Sequence, residues 1–436
     1  MPARRVVITG LAPICPLGLT KDDLWVALKQ GRSGIARLES LPAEALPAPF
    51  GGESRQFTGH IDDFGELEKE AKRAIRKGIK VMCREIQMGV AAAQRAIRDA
   101  GLLPDTIDPE RTGVVYGSDH ILTTPDEFAE GVRNCLDEHH EFQFSRWAED
   151  GMPKVTPLWL LKYLPNMPAS HIAIYNDFRG PNNSITLREA SGNLAIAEAY
   201  CAIVRGSADA IVAGATGTRV HPLRTVHTML QEEIATNGID PTKACRPFDK
   251  DRTGMVIGEG AGAIVLESLE HAKNRGATIF GEVVGYGSST VMAKDGTPQP
   301  DVAFKNVLNV SLHSANLTPD EIGHIHAHGL STIAGDLAES QGINEVFAGR
   351  RNPIPVVAAK SNTGNLGAGS GLVEAIASTL ALHHGELFPA INYQTPDPDC
   401  DLNVVQEGNE TAGKCFINVS ISPQAQASAV IIRKWD

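Results

Sequence analysis

Three histidines alternate through His324, Ile325, His326, Ala327 and His328, a spacing that on a β-strand turns all three imidazoles to one face. Such a row could hold a divalent metal, and it could equally be a set of ordinary strand residues. His139 and His140 have no further ligand at metal spacing. Ser191 stands just ahead of an apolar helical stretch, where a hydroxyl is either a nucleophile or, more simply, a helix cap. Lys69, Lys72, Arg73, Arg76, Lys77, Lys80 and Arg84 crowd a segment that reads as one helix or two. They either dock an acidic partner or form a solvated face balanced by Glu66, Glu68 and Glu70.

The scaffold that must position these groups is large. The 436 residues, 42% of them apolar, can bury an extensive core as two or three domains or as a pseudo-symmetric pair of lobes. Frequent glycine, 42 residues, and sparse aromatics, 5%, favour an α/β fold with many tight strand-to-helix turns. A net charge of −12 argues against a nucleic-acid binder, which needs a basic face for phosphates. The start MPARRVVITG lacks the apolar stretch of a signal peptide, and no run approaches the ~18 to 20 apolar residues of a membrane span. Neither secretion nor membrane insertion is expected. Cys15, Cys83, Cys135, Cys201, Cys245, Cys400 and Cys415 show no CxxC and read as reduced, mostly buried thiols of a cytoplasmic protein.

Periodicity predicts strands at 4–9, 112–117, 208–215, 280–286, 322–327, 355–359, 415–421 and 427–433. It predicts helices at 21–30, 83–100, 193–205, 303–314, 336–347 and 371–382, and a charged, His-rich surface excursion at 119–155. Strand alternates with helix twice over, which implies mainly parallel sheets in two duplicated five-stranded α/β lobes, residues 1–270 and 271–436.

Four stretches carry a more specific signal: RRVVITGLAPICPLGLTKDDLWVALKQGRSGI at the start, RPFDKDRTGMVIGEGAGAIVLE from Arg246, HAHGLSTIAGDLAE from His326 and AAKSNTGNLGAGSGLVEAI from Ala358. In this order and register they resemble the elongating β-ketoacyl-acyl carrier protein synthases of fatty acid and polyketide synthesis. The resemblance implies a thiolase-like fold with helices between and outside the sheets, no metal, no cofactor, an acyl carrier protein as partner, and a dimer. It maps the first catalytic histidine onto His328 and a supporting lysine onto Lys360, with Asp336 and Glu339 on the acidic positions that hold that lysine and the loop. The basic segment from Lys69 to Arg84 matches the region where members of the family dock their carrier protein.

The same resemblance exposes departures. The family's nucleophilic cysteine follows a Gly-Pro and a short strand, and the passage GPNNSITLREASGNLAIAEAY puts Glu189 in its place. Cys201, about three helical turns further on, is expected to face the core. Glu189 is either a base held at a helix start or an anion placed there by the helix dipole. The second histidine of K-x-x-x-G-H is Asn365, which with His328 could still form a partial oxyanion hole. The family's glycine-rich C-terminal loop is replaced by NVSISPQAQAS, with Pro423 and no glycine. The expected function is that of a synthase homologue unable to condense, acting as a chain-length-factor-like partner in a homodimer or heterodimer. The alternative is altered acyl-thioester chemistry by Glu189, His328 and Asn365. The apolar strand 208–215 is expected near the two-fold interface.

Overall fold

The computed structural model describes residues 4–435. Its β-branched and small apolar stretches form β1 (Val6–Ile14), β2 (Thr112–Ser118), β3 (Asn182–Thr186), β4 (Ala210–Thr218) and β5 (Glu259–Ser268), followed by β6 (Gly281–Thr290), β7 (His324–His326), β8 (Pro355–Val357), β9 (Asn403–Val404), β10 (Cys415–Ile421) and β11 (Gln426–Lys434). All eleven belong to one sheet in the order β9-β8-β7-β10-β11-β6-β1-β5-β4-β2-β3. Apart from the two-residue edge strand β9, the order β6-β11-β10-β7-β8 repeats β1-β5-β4-β2-β3 position for position. The duplication expected from the alternating elements is therefore visible in the topology. The two repeats join where Val6, Val7 and Ile8 of β1 pair with Val283, Glu282 and Gly281 of β6.

The sheet is mixed, which corrects the expectation of mainly parallel pairing. β2 pairs in parallel with β3 and β4, and β7 with β8 and β10. β5 runs antiparallel to both β1 and β4, and β11 to both β6 and β10. The reason lies in the connections, since β10 and β11 are joined by a tight turn that only an antiparallel pair allows.

The helices that bear on the site and its packing are α1 (Lys21–Lys29), α2 (Lys69–Gly78), α3 (Arg84–Asp99), α4 (Ser191–Val204), α5 (Pro222–Gln231), α6 (Pro300–Ala315), α7 (Ile333–Phe347) and α8 (Ser370–His384), with others between them. α3 lies on β1, β4 and β5, and α6, backed by α7, lies on β6 and β11. Between the repeats, α4 and α8 touch strands of both. α8 is buried on every side from Ser370 to Leu382, as an apolar helix between two sheet layers must be. The two central helices cross at glycine: a Cβ on Gly192 would stand 3.1 Å from Leu372 N and 3.2 Å from Gly371 Cα. That close approach sets the N-terminus of α4. No helix among the described residues is long and apolar enough to cross a membrane.

Candidate active site

The chain turns sharply from β3 into α4. Arg188 takes the left-handed conformation at φ 53°, and a single 3-10 turn, Arg188–Ala190, leads into the helix. A non-glycine residue held there costs of order 1–3 kcal/mol, a strain that surrounding structure must offset. Ser191 secures the turn. Its hydroxyl accepts from the Leu187 N–H at 2.7 Å and donates to the Ser118 carbonyl at 2.9 Å, so it is occupied as a cap. Cys201 is half-buried, not a core residue as expected.

The turn places Glu189 in the interior, 1% exposed. Its Oε1 pairs with the guanidinium of Arg219, itself 1% exposed, and accepts from the Asn365 amide at 3.1 Å. Arg188 Nε lies 3.6 Å from Oε2 and the same guanidinium bonds Glu232 at 2.6 Å. The ion pairs continue inward, because Arg219 Nη1 and Arg224 Nη1 stand 3.4 Å and 3.3 Å from the carboxylate of Asp119. Burial acts to raise the Glu189 pKa, but the guanidinium groups of Arg219 and Arg188 outweigh it and hold the carboxyl well below the usual range. Glu189 is an ionised carboxylate.

The histidine row divides by role. The His324 ring donates to the Ala412 carbonyl at 2.8 Å, while His326 contacts Ser378 Oγ at 2.8 Å and accepts from the Ala359 N–H at 3.3 Å. Both are strand residues engaged with their surroundings, and no group of metal-ligating side chains converges among the described residues. His328 accepts at Nδ1 from Lys360 Nζ, 3.3 Å away, which leaves its proton on Nε2. Burial, with Lys360 close by, pushes its pKa well below the ordinary value, so the ring is neutral. Lys360 also donates to the His328 carbonyl at 2.6 Å and pairs with Glu374. Asp336 and Glu339 do not hold the lysine, contrary to expectation. Glu339 accepts the N–H groups of His328 and Gly329 at 2.6 and 2.8 Å, and Asp336 those of Ser331 and Phe248 at 3.0 and 2.8 Å. Both carboxylates spend their two oxygens on the N–H groups of the loop they organise.

Glu189 and His328 share the wall of a cavity of about 250 Å³, closed on other sides by Glu232, Glu233, Phe304 and Pro423. Asn365 is not part of that wall. Its amide nitrogen is committed to Glu189 and to Met255 Sδ at 2.9 Å, and its oxygen accepts from the Gly367 N–H at 3.0 Å. The expected oxyanion hole of His328 and Asn365 is thus reduced to one free donor, His328.

A family model for the beta-ketoacyl synthase N-terminal domain matches residues 3–272, and one for the C-terminal domain matches residues 280–394. The chain belongs to the β-ketoacyl synthase family. It is 34% identical to 3-oxoacyl-[acyl-carrier-protein] synthase 2 of Synechocystis sp. over 405 residues, 92% of this chain and 91% of the relative. With the enzyme of the same name from Vibrio harveyi it shares 34% identity over 407 residues, 93% of this chain and 92% of the relative. Its fold resembles a β-ketoacyl synthase from Burkholderia phymatum, with TM-score 0.84, 27% identity and coverage of 99% and 100%. It also resembles the ishigamide ketosynthase/chain length factor, at TM-score 0.82, 27% identity and full coverage of both chains. A type II PKS acyl-carrier protein in complex with its ketosynthase bound to the hexaketide matches equally, at TM-score 0.82, 27% identity and full coverage. The fold is the thiolase-like ketosynthase fold.

Two further features of this β-ketoacyl synthase homologue bear on its site. In the turn between β10 and β11, the Ser422 N–H bonds Gln426 O and the Ala425 N–H bonds Ser422 O, both at 3.0 Å, and Pro423 has none. Those groups are unavailable to a ligand in the adjoining cavity. On the basic segment, Arg73, Arg76, Lys77 and Lys80 are exposed and form no ion pair among the described residues. Lys72 pairs with Asp62 at 2.7 Å. Arg84 is structural, since it clamps buried Glu259 at 2.6 Å and donates to the carbonyls of Phe57 and Ser54. Arg219, Arg188, Asp119 and Glu374 were missed by sequence reasoning. The available signal for a cation was Glu189 itself, because a carboxylate forced inside must find one.

Proposed function

We propose that this β-ketoacyl synthase homologue does not condense, and that it serves as a chain-length-factor-like partner subunit in fatty acid or polyketide assembly. The observation that carries the reading is the buried pair of Glu189 and Arg219 at the head of α4, in the place that the family resemblance gives to the nucleophile. A carboxylate is a poor nucleophile toward a thioester, because the mixed anhydride is less stable than the thioester attacked. Here it is also spent on two cations and an amide. An oxyanion in the cavity would meet one free donor, and each missing donor costs roughly 2.7 to 4 kcal/mol of barrier.

The second reading, altered acyl chemistry, draws on Glu189 Oε2, which makes no hydrogen bond and has Arg188 Nε 3.6 Å away. Decarboxylation of a malonyl group fits poorly, since Glu189, Glu232 and Glu233 would surround its carboxylate with like charge. For the partner role, the exposed Arg73, Arg76, Lys77 and Lys80 offer an acidic carrier protein a docking face. A companion chain would pair at β3, the edge of the sheet opposite β9. β4, expected near that interface, lies two strands inside.

The test is a condensation assay with acyl- and malonyl-carrier protein, run with this chain alone, with a cysteine-bearing ketosynthase alone, and with both. The reading expects no product from this chain alone and a product of altered length from the pair. A pair indistinguishable from the ketosynthase alone would remove the partner role.

A further inference from the structure

The ion pairs around Glu189 form a wall between two spaces. In front lies the cavity of about 250 Å³ lined by Glu189 and His328. Behind lies a second cavity of about 180 Å³, lined by Glu85, Ile121, Thr218, Val220 and Arg224. Arg219 belongs to the lining of neither. It stands between them, joined to Glu189 at the front and through Asp119 to Arg224 at the back. Its Nε has no hydrogen-bond acceptor, and Glu85 Oε1 in the rear wall has no partner either. A partition that leaves buried polar groups without a partner is costly as architecture alone. Apolar residues of the same volume would separate the cavities at less cost, but they would also offer an alkyl chain a surface to enter along. A guanidinium does not.

We infer that Arg219 is a specificity-determining residue that limits the Glu189 cavity to short acyl groups, by closing the passage into the rear cavity with an ion pair. The inference rests on the proposed reading in taking a carrier's pantetheine thiol as what enters the front cavity. It does not depend on whether the chain condenses. An alkyl chain could pass the partition only by separating Glu189 from Arg219 and so breaking the tightest ion pair of a buried network.

The test uses S-alkyl pantetheine thioethers, from methyl to dodecyl, which cannot transfer an acyl group and so report space alone. Binding is measured calorimetrically to the full chain and to the double variant E189A/R219A, whose folding is checked by its thermal midpoint. Each methylene buried gains about fourfold in affinity. For the wild-type chain the gain is expected to stop before octyl. In the double variant it continues to dodecyl, for a difference of at least tenfold at the long end. A wild-type series that keeps rising to dodecyl overturns the inference, and needs no variant to do so. A folded double variant with the wild-type plateau overturns it as well, as does failure of the short members to bind at all. None of these results bears on condensation, which the product assay reads separately.

Discussion

Glu189 and Arg219 form a pair in which neither member is tolerable without the other. Both are fully buried, and removing one leaves a charge in the interior at a cost of about 3–5 kcal/mol, whereas replacing both with apolar groups of similar volume is often neutral. R219M should therefore lower the stability measured by urea unfolding by about that amount, and E189L/R219M should regain most of it. Equal losses in the two variants would show that Arg219 acts through packing alone. A second consequence concerns pH. Burial pushes Glu339 up to about 8 and Asp336 up to about 6, against an ordinary carboxyl near 4. Across that window the folded chain holds protons that the unfolded chain has released, so stability falls as pH rises from about 4 to 8. Buried His324 acts on the other flank. Its pKa is pushed down to about 4, so the unfolded chain binds the proton first and stability falls as pH drops below about 6.5. Between about pH 6.5 and 8, above the range in which His324 contributes, the thermal midpoint should fall as pH rises, and E339Q should flatten that fall. An unchanged slope in E339Q would contradict the assignment.

At the scale of elements, the site depends on two turns, the one that carries Arg188 and Glu189 and the one between β10 and β11. The first would suit a nucleophile. In E189C the helix start with Arg188 and Arg219 beside it should hold the sulfur as a thiolate, reactive toward iodoacetamide through the front cavity. The second turn would still fail it, because its Ser422 and Ala425 N–H groups are committed within the turn. Alkylation without β-ketoacyl product is the expected result, and full condensation would show that the turn is not limiting. Much of this was legible in the sequence. Strands such as Cys415–Ile421 and helices such as Ser370–His384 follow from apolar runs and periodicity. The resemblance also singled out Glu189 and His328, which line one cavity, and Lys360, which contacts His328. Other parts were not. β5 begins Glu-Gly-Ala-Gly-Ala, too poor in β-branched residues to announce a strand, and α5 turns Leu223, Val226 and Leu230 outward, reversing the usual pattern. Arg219 ends a strand with nothing local to mark it, because its role is set by a residue 30 positions away.

For the whole molecule, the packing that holds the ketosynthase fold is separate from the residues around Glu189. The cores on the outer faces of the two repeats and the central core around α4 and α8 draw on residues other than Glu189 and its partners. The exposed basic face along α2 is likewise independent of the site. R73E/K77E should weaken binding of an acidic carrier protein at low ionic strength and flatten its salt dependence, without altering the thermal midpoint. Unchanged affinity would place the carrier elsewhere. The central claim is that Glu189 accepts no acyl group, and it is tested most directly by mass spectrometry. The purified chain is incubated with acyl- and malonyl-carrier protein, and the tryptic peptide containing Glu189 is weighed alongside the carrier-bound products. The account predicts an unmodified peptide and no β-ketoacyl product; an acyl adduct on that peptide, or product formed by this chain alone, would contradict it.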